Sequence, residues 1–265
     1  MIKYSFTGRV VLVTASSQGI GYGIAKAFLE AGAKVVINGR DQAKLKVALE
    51  KLKLIDKSRI CSLAGDISNS NFIESLVSHT EKKFSSNIDI LINNSGGPQV
   101  GPALSFSDND WSAAIENNLL SVIRLTKLVT ENMIKKKWGR IINLTSLLGK
   151  EPANNMILSN VTRAAVAAYS KSVSNEIAKF GITVNNILTG GCLTERFYGL
   201  VNKQIEGTSE TLENAIARMS KQSVVERIAT PEEFAQTILY LASEESSYLT
   251  GVSIALDGGN SKSIF

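Results

Sequence analysis

The first residues able to do chemistry form a turn of glycine and small side chains after an apolar run. The run Val10–Thr14 has the β-branched composition of a strand, and apolar residues recur at helical spacing directly after the turn. A strand, a glycine turn and a helix in this order point backbone N–H groups at a pyrophosphate. A tight turn without a ligand is the alternative, but its place in the first strand–helix–strand unit favours a dinucleotide site. The predicted binding residues are Thr14, Ser16, Ser17, Gln18, Gly19, Ile20 and Gly21.

The end of the next strand indicates which dinucleotide binds. Lys34–Asn38 is followed by Gly39 and Arg40, and no carboxylate occurs until Asp41. A carboxylate at the strand end would bind the ribose 2′-OH of NAD(H) and repel a 2′-phosphate, whereas a guanidinium binds that phosphate through two hydrogen bonds. We therefore expect NADP(H) to be preferred over NAD(H). A solvated loop charge is the alternative role of Arg40.

Few other side chains are candidates for chemistry. The chain has one histidine, His79, and two cysteines, Cys61 and Cys192, which are too few for a disulfide framework or a zinc site of four thiolates. His79 falls within a predicted helix, where a surface or packing role is expected. Cys192 has no histidine to activate it and is interpreted as a small apolar residue. No metal site is predicted.

Seven short apolar runs alternate with longer segments in which apolar residues recur every three or four positions. This alternation predicts an α/β fold: a doubly wound, Rossmann-type three-layer sandwich with a mostly parallel seven-stranded sheet. The predicted strands are Val10–Thr14, Lys34–Asn38, Arg59–Leu63, Ile88–Asn93, Arg140–Thr145, Thr183–Leu188 and Ser253–Leu256. The predicted helices are Gly21–Glu30, Gln42–Leu54, Asn71–Phe84, Asp110–Lys136, Leu158–Lys179 and Pro231–Ala242.

No linker, repeat or low-complexity stretch interrupts this pattern, which predicts one domain over residues 1–265. Residues 194–225 stand apart, because mixed polar residues separate the sixth strand from the last helix there. They are interpreted as a helical, lid-like insertion, with a plain surface excursion as the alternative. Thr230, followed by Pro231 and two glutamates, predicts the start of the last helix, and Ser70 or Asn71 that of the third.

Composition excludes several classes of protein. The 265 residues are 44% hydrophobic and 20% charged, as in a globular chain rather than a disordered or fibrous one. The 29 basic and 24 acidic residues give a net charge of +5 with no dense basic block, so no nucleic-acid partner is expected. No apolar run approaches the roughly 18 residues that span a bilayer. The N-terminus lacks a signal-peptide pattern, and we expect a cytoplasmic protein without a membrane partner.

Motifs along essentially the whole chain resemble those of the short-chain dehydrogenase/reductase family. They are Thr14…Gly19-x-Gly21, Asp66-Ile67, Asn93-Asn94-Ser95-Gly96, Asn118-Leu119 and Asp257-Gly258-Gly259. The resemblance implies that Asp66 and Ile67 contact the adenine of the cofactor. It also implies that Asn94 and Gly96 line the adenosine ribose side. Thr189, Gly190 and Thr194 would cover the nicotinamide and the pyrophosphate.

The same resemblance identifies the catalytic positions, where the sequence departs from the family pattern. The family has a serine after the fifth strand, a tyrosine thirteen residues later and a lysine four residues beyond it. Ser146 occupies the first position, but the other two are Ser159 and Arg163. Asn118 matches the helix asparagine that helps to hold a water in the family's proton relay. Ala15 replaces the first glycine of the family's turn.

The substitution changes the chemistry that these positions can perform. An aliphatic hydroxyl is a far weaker acid than a phenol, so Ser159 cannot take over proton transfer. Arg163 stays protonated and can stabilise an anion, but it cannot act as an acid or a base. One helical turn separates the two residues, so both are expected to face the cofactor ribose and a substrate oxyanion. Arg196 and Tyr198 fall at the predicted mouth of the site, with plain loop side chains as the alternative.

Two functions remain open at this point. The first is an NADP(H)-dependent oxidoreductase that acts on a small-molecule carbonyl or alcohol by a modified mechanism. The resemblance adds 3-oxoacyl-thioester reductases and sugar or alcohol dehydrogenases as models. The second is a catalytically weak or inactive NADP-binding sensor or scaffold. The long helices Asp110–Lys136 and Leu158–Lys179 resemble those that pair family members, so a homodimer or homotetramer is expected.

Overall fold

Strands and α-helices alternate along residues 4–221 and 223–264, the part of the chain that this computed structural model describes. The strands are β1 (Val10–Val13), β2 (Lys34–Gly39), β3 (Ile60–Ala64), β4 (Ile90–Asn93), β5 (Gly139–Ser146), β6 (Ile182–Thr189) and β7 (Ser253–Leu256). The helices are α1 (Gly19–Glu30), α2 (Gln42–Asp56), α3 (Ser70–Phe84), α4 (Asp108–Ile115), α5 (Ser121–Lys136), α6 (Ile157–Ile177), α7 (Glu195–Ile205), α8 (Leu212–Ser220) and α9 (Pro231–Ala242). The extreme ends of the predicted domain and Gln222, inside the predicted insertion, lie outside the described residues.

The strands form one sheet in the order β3-β2-β1-β4-β5-β6-β7. The doubly wound, seven-stranded prediction is confirmed, and every pair of neighbouring strands is parallel. The chain begins at the centre with β1, runs outward to β3 and returns to β4 on the other side of β1. The strand order therefore reverses between β1 and β4, which is where a crevice opens at the carboxyl ends of such sheets.

Helices cover both faces of the sheet, so its central strands are buried on both sides. Along β1, Val11 and Val13 belong to one core cluster while Val10 and Leu12 belong to the other, as the alternation of strand side chains requires. Helices α1, α2 and α9 pack on the first face. Helices α3 and α5 and the end of α6 pack on the second. This double layer holds the carboxyl ends of the central strands side by side.

The helix predicted over Asp110–Lys136 is divided in the structure. A π-helical turn, Glu116–Leu120, separates α4 from α5. Asn118 in this turn donates two hydrogen bonds from Nδ2, to Ser95 Oγ and to Gly96 O, both at 2.8 Å. The predicted residues are thus helical from Asp110 to Lys136, but the π-turn within them was not predicted, because apolar residues keep their three- and four-residue spacing on either side of it.

The starts of two helices test the predicted caps. Thr230 and Glu233 form a capping box at the start of α9, with Pro231 in the first turn, as the sequence predicts. The cap of α3 was predicted one or two residues too late, since Asn69 accepts the hydrogen bond from the Phe72 N–H at 3.1 Å. Asn and Ser are both good cap residues, and four of them follow one another from Ser68 to Asn71, so type alone cannot select the cap.

The segment after β6 forms α7 and α8, which share a small apolar cluster of Phe197, Val201 and Ala215. The Thr194 side chain caps α7 by accepting a hydrogen bond from the Phe197 N–H at 3.2 Å. A parallel bridge between Cys192 and Ala229 ties the two ends of the segment together. None of the helices in the described ranges is long and apolar enough to cross a membrane.

Candidate cofactor and active site

The turn between β1 and α1 is held in place by side chains behind it. Thr14 Oγ1 donates to Asn94 O at 2.6 Å and accepts from the Asn94 N–H at 2.9 Å. Ser16 Oγ donates to Val13 O at 2.7 Å and accepts from the Asn38 N–H at 3.0 Å. Both hydroxyls are buried and saturated by these contacts. They therefore shape the turn rather than face its open side.

Backbone conformation explains the residue types in this turn. Ala15 has φ 44° and Gly19 has φ 60°, the left-handed region that glycine adopts most easily. The family resemblance places a glycine at the position of Ala15, and this angle gives the physical reason. At Gly21 an added Cβ would lie 2.6 Å from Ala15 O and 2.7 Å from Asn94 Nδ2. The backbone there approaches its neighbours too closely for any side chain.

The crevice at the reversal of strand order is a cleft of about 520 Å³. It extends from the ends of β1 and β2, across β4, to the ends of β5 and β6. The sequence-predicted residues that line it are Ser17, Gln18, Gly19, Ile20, Arg40, Ile67, Asn94, Gly96, Ser146, Ser159, Arg163, Thr189, Gly190 and Thr194. The predicted residues that lie outside its wall are Thr14, Ser16, Gly21, Asp66 and Asn118.

The β2 end of the cleft carries two cations, Arg40 and Lys44. The Arg40 side chain is 70% exposed, and its Nη1 lies 3.7 Å from Asp66 Oδ2. Asp41 Oδ1 accepts hydrogen bonds from the Ala43 and Lys44 N–H groups, at 2.9 and 3.0 Å. This carboxylate is thereby committed to the N-terminus of α2. The two cations are left to set the charge of this wall.

The β5 end of the cleft brings together three of the four predicted catalytic residues, all but Asn118. Ser146 is the last residue of β5, and its Oγ accepts a hydrogen bond from the Leu148 N–H at 3.3 Å. Ser159 and Arg163 lie one turn apart on α6, and both are buried against the cleft. Arg163 Nη1 donates to Leu144 O at 3.2 Å. A hydroxyl pair and a guanidinium therefore share this end.

Burial affects the charge of Arg163. Its surroundings lower the pKa of the guanidinium to about 10, mainly because burial disfavours the charged form and also because the charge of Arg196 repels it. The side chain is still positively charged at neutral pH. Its Nε–H has no hydrogen-bond partner among the described residues. The site thus presents a cation with donors still to be used.

Comparison with known proteins identifies the family. The family model described as enoyl-(acyl carrier protein) reductase matches residues 14–261. The uncharacterized oxidoreductase YvaG of Bacillus subtilis is 31% identical over 269 aligned positions, which cover 100% of both chains. The 3-oxoacyl-[acyl-carrier-protein] reductase FabG of Chlamydia muridarum is 32% identical over 95% of this chain and 96% of its own. This chain belongs to the short-chain dehydrogenase/reductase family.

A solved structure agrees with this assignment. L-sorbose reductase from Gluconobacter frateurii, complexed with NADPH and L-sorbose, superposes with a TM-score of 0.95 and 27% identity. The match covers 99% of this chain and 100% of that one. The short-chain dehydrogenase/reductase fold is therefore shared along the chain.

In this short-chain dehydrogenase/reductase, Asn118 acts on the cleft through the loop after β4. It is fully buried, and its two Nδ2 hydrogen bonds fix Ser95 and Gly96. Its Oδ1 has no partner among the described residues. Asn118 is thus a positioning residue for a loop that lines the cleft.

No phenol lines the cleft among the described residues. Tyr198 is 38% exposed and packs edge-on against Phe197, with ring centroids 5.9 Å apart. Cys192 does line the cleft, but burial, followed by the charges of Glu232 and Glu233, raises its thiol pKa to about 12. His79 lies on α3, away from the cleft wall. Within residues 4–221 and 223–264 no group of three or more His, Cys, Asp or Glu side chains is placed to hold a metal.

Sequence reasoning missed part of the cleft wall. Lys44 lies in the first turn of α2, directly after the loop that carries Arg40, and a second cation so close in the sequence was a usable signal. Arg196 was weighed only as a residue at the mouth, although it stands two positions after the Thr194 cap and lines the cleft. No local pattern marks Leu148 and Met156, because they reach the cleft only through the packing of a short 3₁₀ turn, Leu147–Gly149, and the start of α6 beside β5.

Proposed function

We propose that this chain is an NADP(H)-dependent oxidoreductase that interconverts a small-molecule carbonyl and its alcohol, with Arg163 as the group that stabilises the oxyanion. The observation that carries the proposal is one continuous cleft with a phosphate-type glycine turn at one end and a buried cation at the other. The relatives named as reductases support the reaction class. The substrates in their names, an acyl-carrier-protein thioester and L-sorbose, serve here as models of the carbonyl group that is reduced.

The residues at the first end of the cleft fit a dinucleotide. Gly21 leaves no room for a Cβ, which brings the start of α1 close to the turn and its N–H groups toward a pyrophosphate. Arg40 and Lys44 at the end of β2 would hold a 2′-phosphate, and Asp41 is already occupied by the helix start. These contacts support NADP(H) over NAD(H), as does the NADPH in the L-sorbose reductase structure.

The mechanism uses the protein's side chains at the other end. NADPH held in the cleft would supply a hydride to the carbonyl carbon, and the π electrons of the C=O bond would pass to its oxygen, which becomes an alkoxide. Arg163 donates hydrogen bonds to that alkoxide oxygen from its unused N–H groups, and the hydroxyl of Ser146 donates another. A water that enters the cleft delivers the proton that completes the alcohol. Ser159 orients the cofactor ribose rather than moving a proton.

An inactive sensor or scaffold is the second candidate, and the absence of a phenol in the described cleft wall favours it. A positioned general acid contributes about 10²–10⁴-fold to the rate of such reactions. Without one, turnover by this chain is expected to be slow relative to enzymes that keep it. The two candidates share cofactor binding and differ in turnover.

The deciding experiment measures binding and turnover on the same preparation. NADPH is titrated by calorimetry, and its oxidation is then followed with ketones, sugars and 3-oxoacyl thioesters. We expect micromolar binding, on the order of −8 kcal/mol, and measurable oxidation with at least one carbonyl. Binding without oxidation by any of them would favour the sensor, and no binding would reject both candidates.

We also propose a cellular location and an oligomeric state for the protein. We place the protein in the cytoplasm as a homodimer or homotetramer. The oligomer is proposed because α5 and α6 are long helices of the kind through which related chains are expected to pair. Light scattering tests the assembly. A monomer at the concentrations used in the assay would reject this part of the proposal.

A further inference from the structure

The arginines of the chain fall into two groups according to their partners. Seven of the nine lie within 4.0 Å of a carboxylate, and these are Arg9, Arg40, Arg59, Arg124, Arg140, Arg218 and Arg227. Arg163 and Arg196 have no such partner among the carboxylates that the structure describes. Both line the cleft. The unpaired guanidinium groups are therefore gathered in one place.

Arg163 is the more buried of the two. Its relative exposure is 6%, its Nη1 donates to Leu144 O, and its Nε–H has no partner. A buried charge without a counter-charge is costly, and natural proteins usually pair such groups or bind an ion there. One backbone carbonyl satisfies only one of the five N–H donors of a guanidinium. The remaining donors are available to a ligand.

Arg196 reaches the same region from the opposite wall. It lies in the first turn of α7, and its Nη1 donates to Gly97 O at 3.2 Å, in the loop that follows β4. A Cβ at Gly97 would collide with this guanidinium, so the glycine leaves space for it. Burial lowers the pKa of Arg196, and its charge in turn lowers that of Arg163. The two cations are near enough to repel each other.

Arg163 lies apart from the places proposed for the phosphates of the cofactor. In the proposed binding mode the pyrophosphate lies at the glycine turn after β1, and the 2′-phosphate lies by Arg40 at the end of β2. Arg163 instead lines the cleft with Ser146, at the end of β5. In the proposed binding mode the nicotinamide ring, which carries no phosphate, meets the substrate there. An anionic group that neutralises Arg163 would then belong to the substrate, and Arg196 lines the same cleft.

We infer that the substrate is a carbonyl compound that carries an anionic oxygen group, a carboxylate or a phosphate, which Arg163 and Arg196 bind together. This inference rests on the proposed function. A guanidinium can serve the carbonyl oxygen and one anionic oxygen at once through its planar fork of donors. The apolar side chains of Leu148, Met156 and Leu200 line the same cleft and favour a short carbon skeleton.

The test compares matched pairs of compounds that differ in the anionic group. Acetoacetate is paired with ethyl acetoacetate, and dihydroxyacetone phosphate with dihydroxyacetone. Each is titrated by calorimetry into the protein alone and into the protein saturated with NADP⁺. We expect one anionic member to bind at least about 10-fold more tightly than its neutral partner, as charged hydrogen bonds require. Which pair shows the preference distinguishes a carboxylate from a phosphate.

Variants of Arg196 assign the preference to the pair. Arg196→Gln is expected to remove the preference for the anionic compound, and Arg196→Lys to keep part of it. Arg218→Gln is the matched control, since Arg218 is in the same segment but pairs with Glu210 at 2.9 Å and lies outside the cleft wall. It is expected to leave the preference unchanged. Thermal unfolding of each variant checks that the fold is retained.

Three results would overturn the inference. Equal binding within both pairs would show that the cleft does not select an anion. Retention of the preference in Arg196→Gln would place the anion elsewhere. A loss of NADP⁺ affinity in that variant, with the preference intact, would assign Arg196 to the cofactor. Failure of the proposed function is seen separately, as an absence of NADPH oxidation although the anionic compound binds.

Discussion

The two ends of the cleft differ in how their polar side chains are paired. At the β1 end the side chains of Thr14, Ser16 and Asn94 donate hydrogen bonds to backbone carbonyl oxygens. Their donors are therefore used within the protein. At the β5 end Arg163 keeps an Nε–H without a partner, although it is almost fully buried. The first end is complete as it stands, whereas the second needs a ligand to complete it.

This difference accords with what each end has to do. A dinucleotide is a constant ligand, and a rigid turn with glycine where the backbone is crowded suits it. The β5 end has a serine and an arginine where the family has its tyrosine and lysine, and this arginine stays protonated at neutral pH, so it cannot act there as an acid or a base. The departure that changes the available chemistry therefore lies at the β5 end, whereas Ala15 in the glycine turn keeps the left-handed conformation of the glycine it replaces.

Arg163→Met tests the substrate end and carries the largest expected effect. Turnover should fall about 100- to 1,000-fold, because a donor to the developing oxyanion is removed. Since burial lowers the pKa of Arg163, the folded state disfavours its charged form at every pH below about 10. Removing that charge should raise the free energy of unfolding of the ligand-free protein by about 1–4 kcal/mol.

Steady-state assays and chemical unfolding measure these two effects together. Ser159→Ala is the matched control one turn away on α6, and less than a tenfold loss of turnover is expected from it. Unchanged turnover in Arg163→Met would remove the guanidinium from the mechanism. A larger loss in Ser159→Ala than in Arg163→Met would assign the proton transfer to the hydroxyl instead.

Gly21→Val tests the opposite end. The new side chain would displace Ala15 O and Asn94 Nδ2, which lie 2.6 and 2.7 Å from the position of a Cβ. A shift of about 1 Å in the turn should weaken NADPH binding at least about 100-fold. Gly199→Ala, where open space surrounds the new methyl, is the control and should bind normally. Normal NADPH binding by Gly21→Val would mean that the cofactor does not use this turn.

Arg40→Ala is expected to weaken NADPH binding at the β2 end of the cleft without abolishing it. NADPH affinity should fall about 10- to 100-fold, since a charge-assisted contact to the 2′-phosphate is lost. NADH affinity should change little, because NADH has no phosphate at that position. Parallel titrations with the two cofactors measure the ratio. An equal loss for both would reject the assigned role of Arg40.

The pH dependence of turnover carries the smallest expected effect. No group with a pKa near neutrality takes part, so the rate should be constant between about pH 6 and 9. It should decrease as the pH rises through about 10, where the Arg163 guanidinium begins to lose its proton. A step in the rate near pH 7 would reveal a different acid in the cleft. NADPH binding measured over the same range is the control.

The sequence was sufficient to predict which elements form the cleft. It was not sufficient to predict which of the polar groups in the cleft have a partner. The strand–turn–helix pattern around Gly19 and the spacing from Ser146 to Arg163 are local, and both led to residues that the structure brings to one cleft. The π-turn at Glu116–Leu120 escaped prediction because it hardly changes the apolar period. The roles of Arg196 and of the unpaired Nε–H of Arg163 depend on which distant residues approach them, and no local pattern contains that information.

A calorimetric titration of the purified protein with NADPH tests the central claim most directly, namely that a nicotinamide dinucleotide binds the glycine turn and leads toward Ser146 and Arg163. We predict one molecule bound per chain, with a dissociation constant on the order of micromolar and weaker binding of NADH. A folded protein that takes up neither NADPH nor NADH would contradict the account.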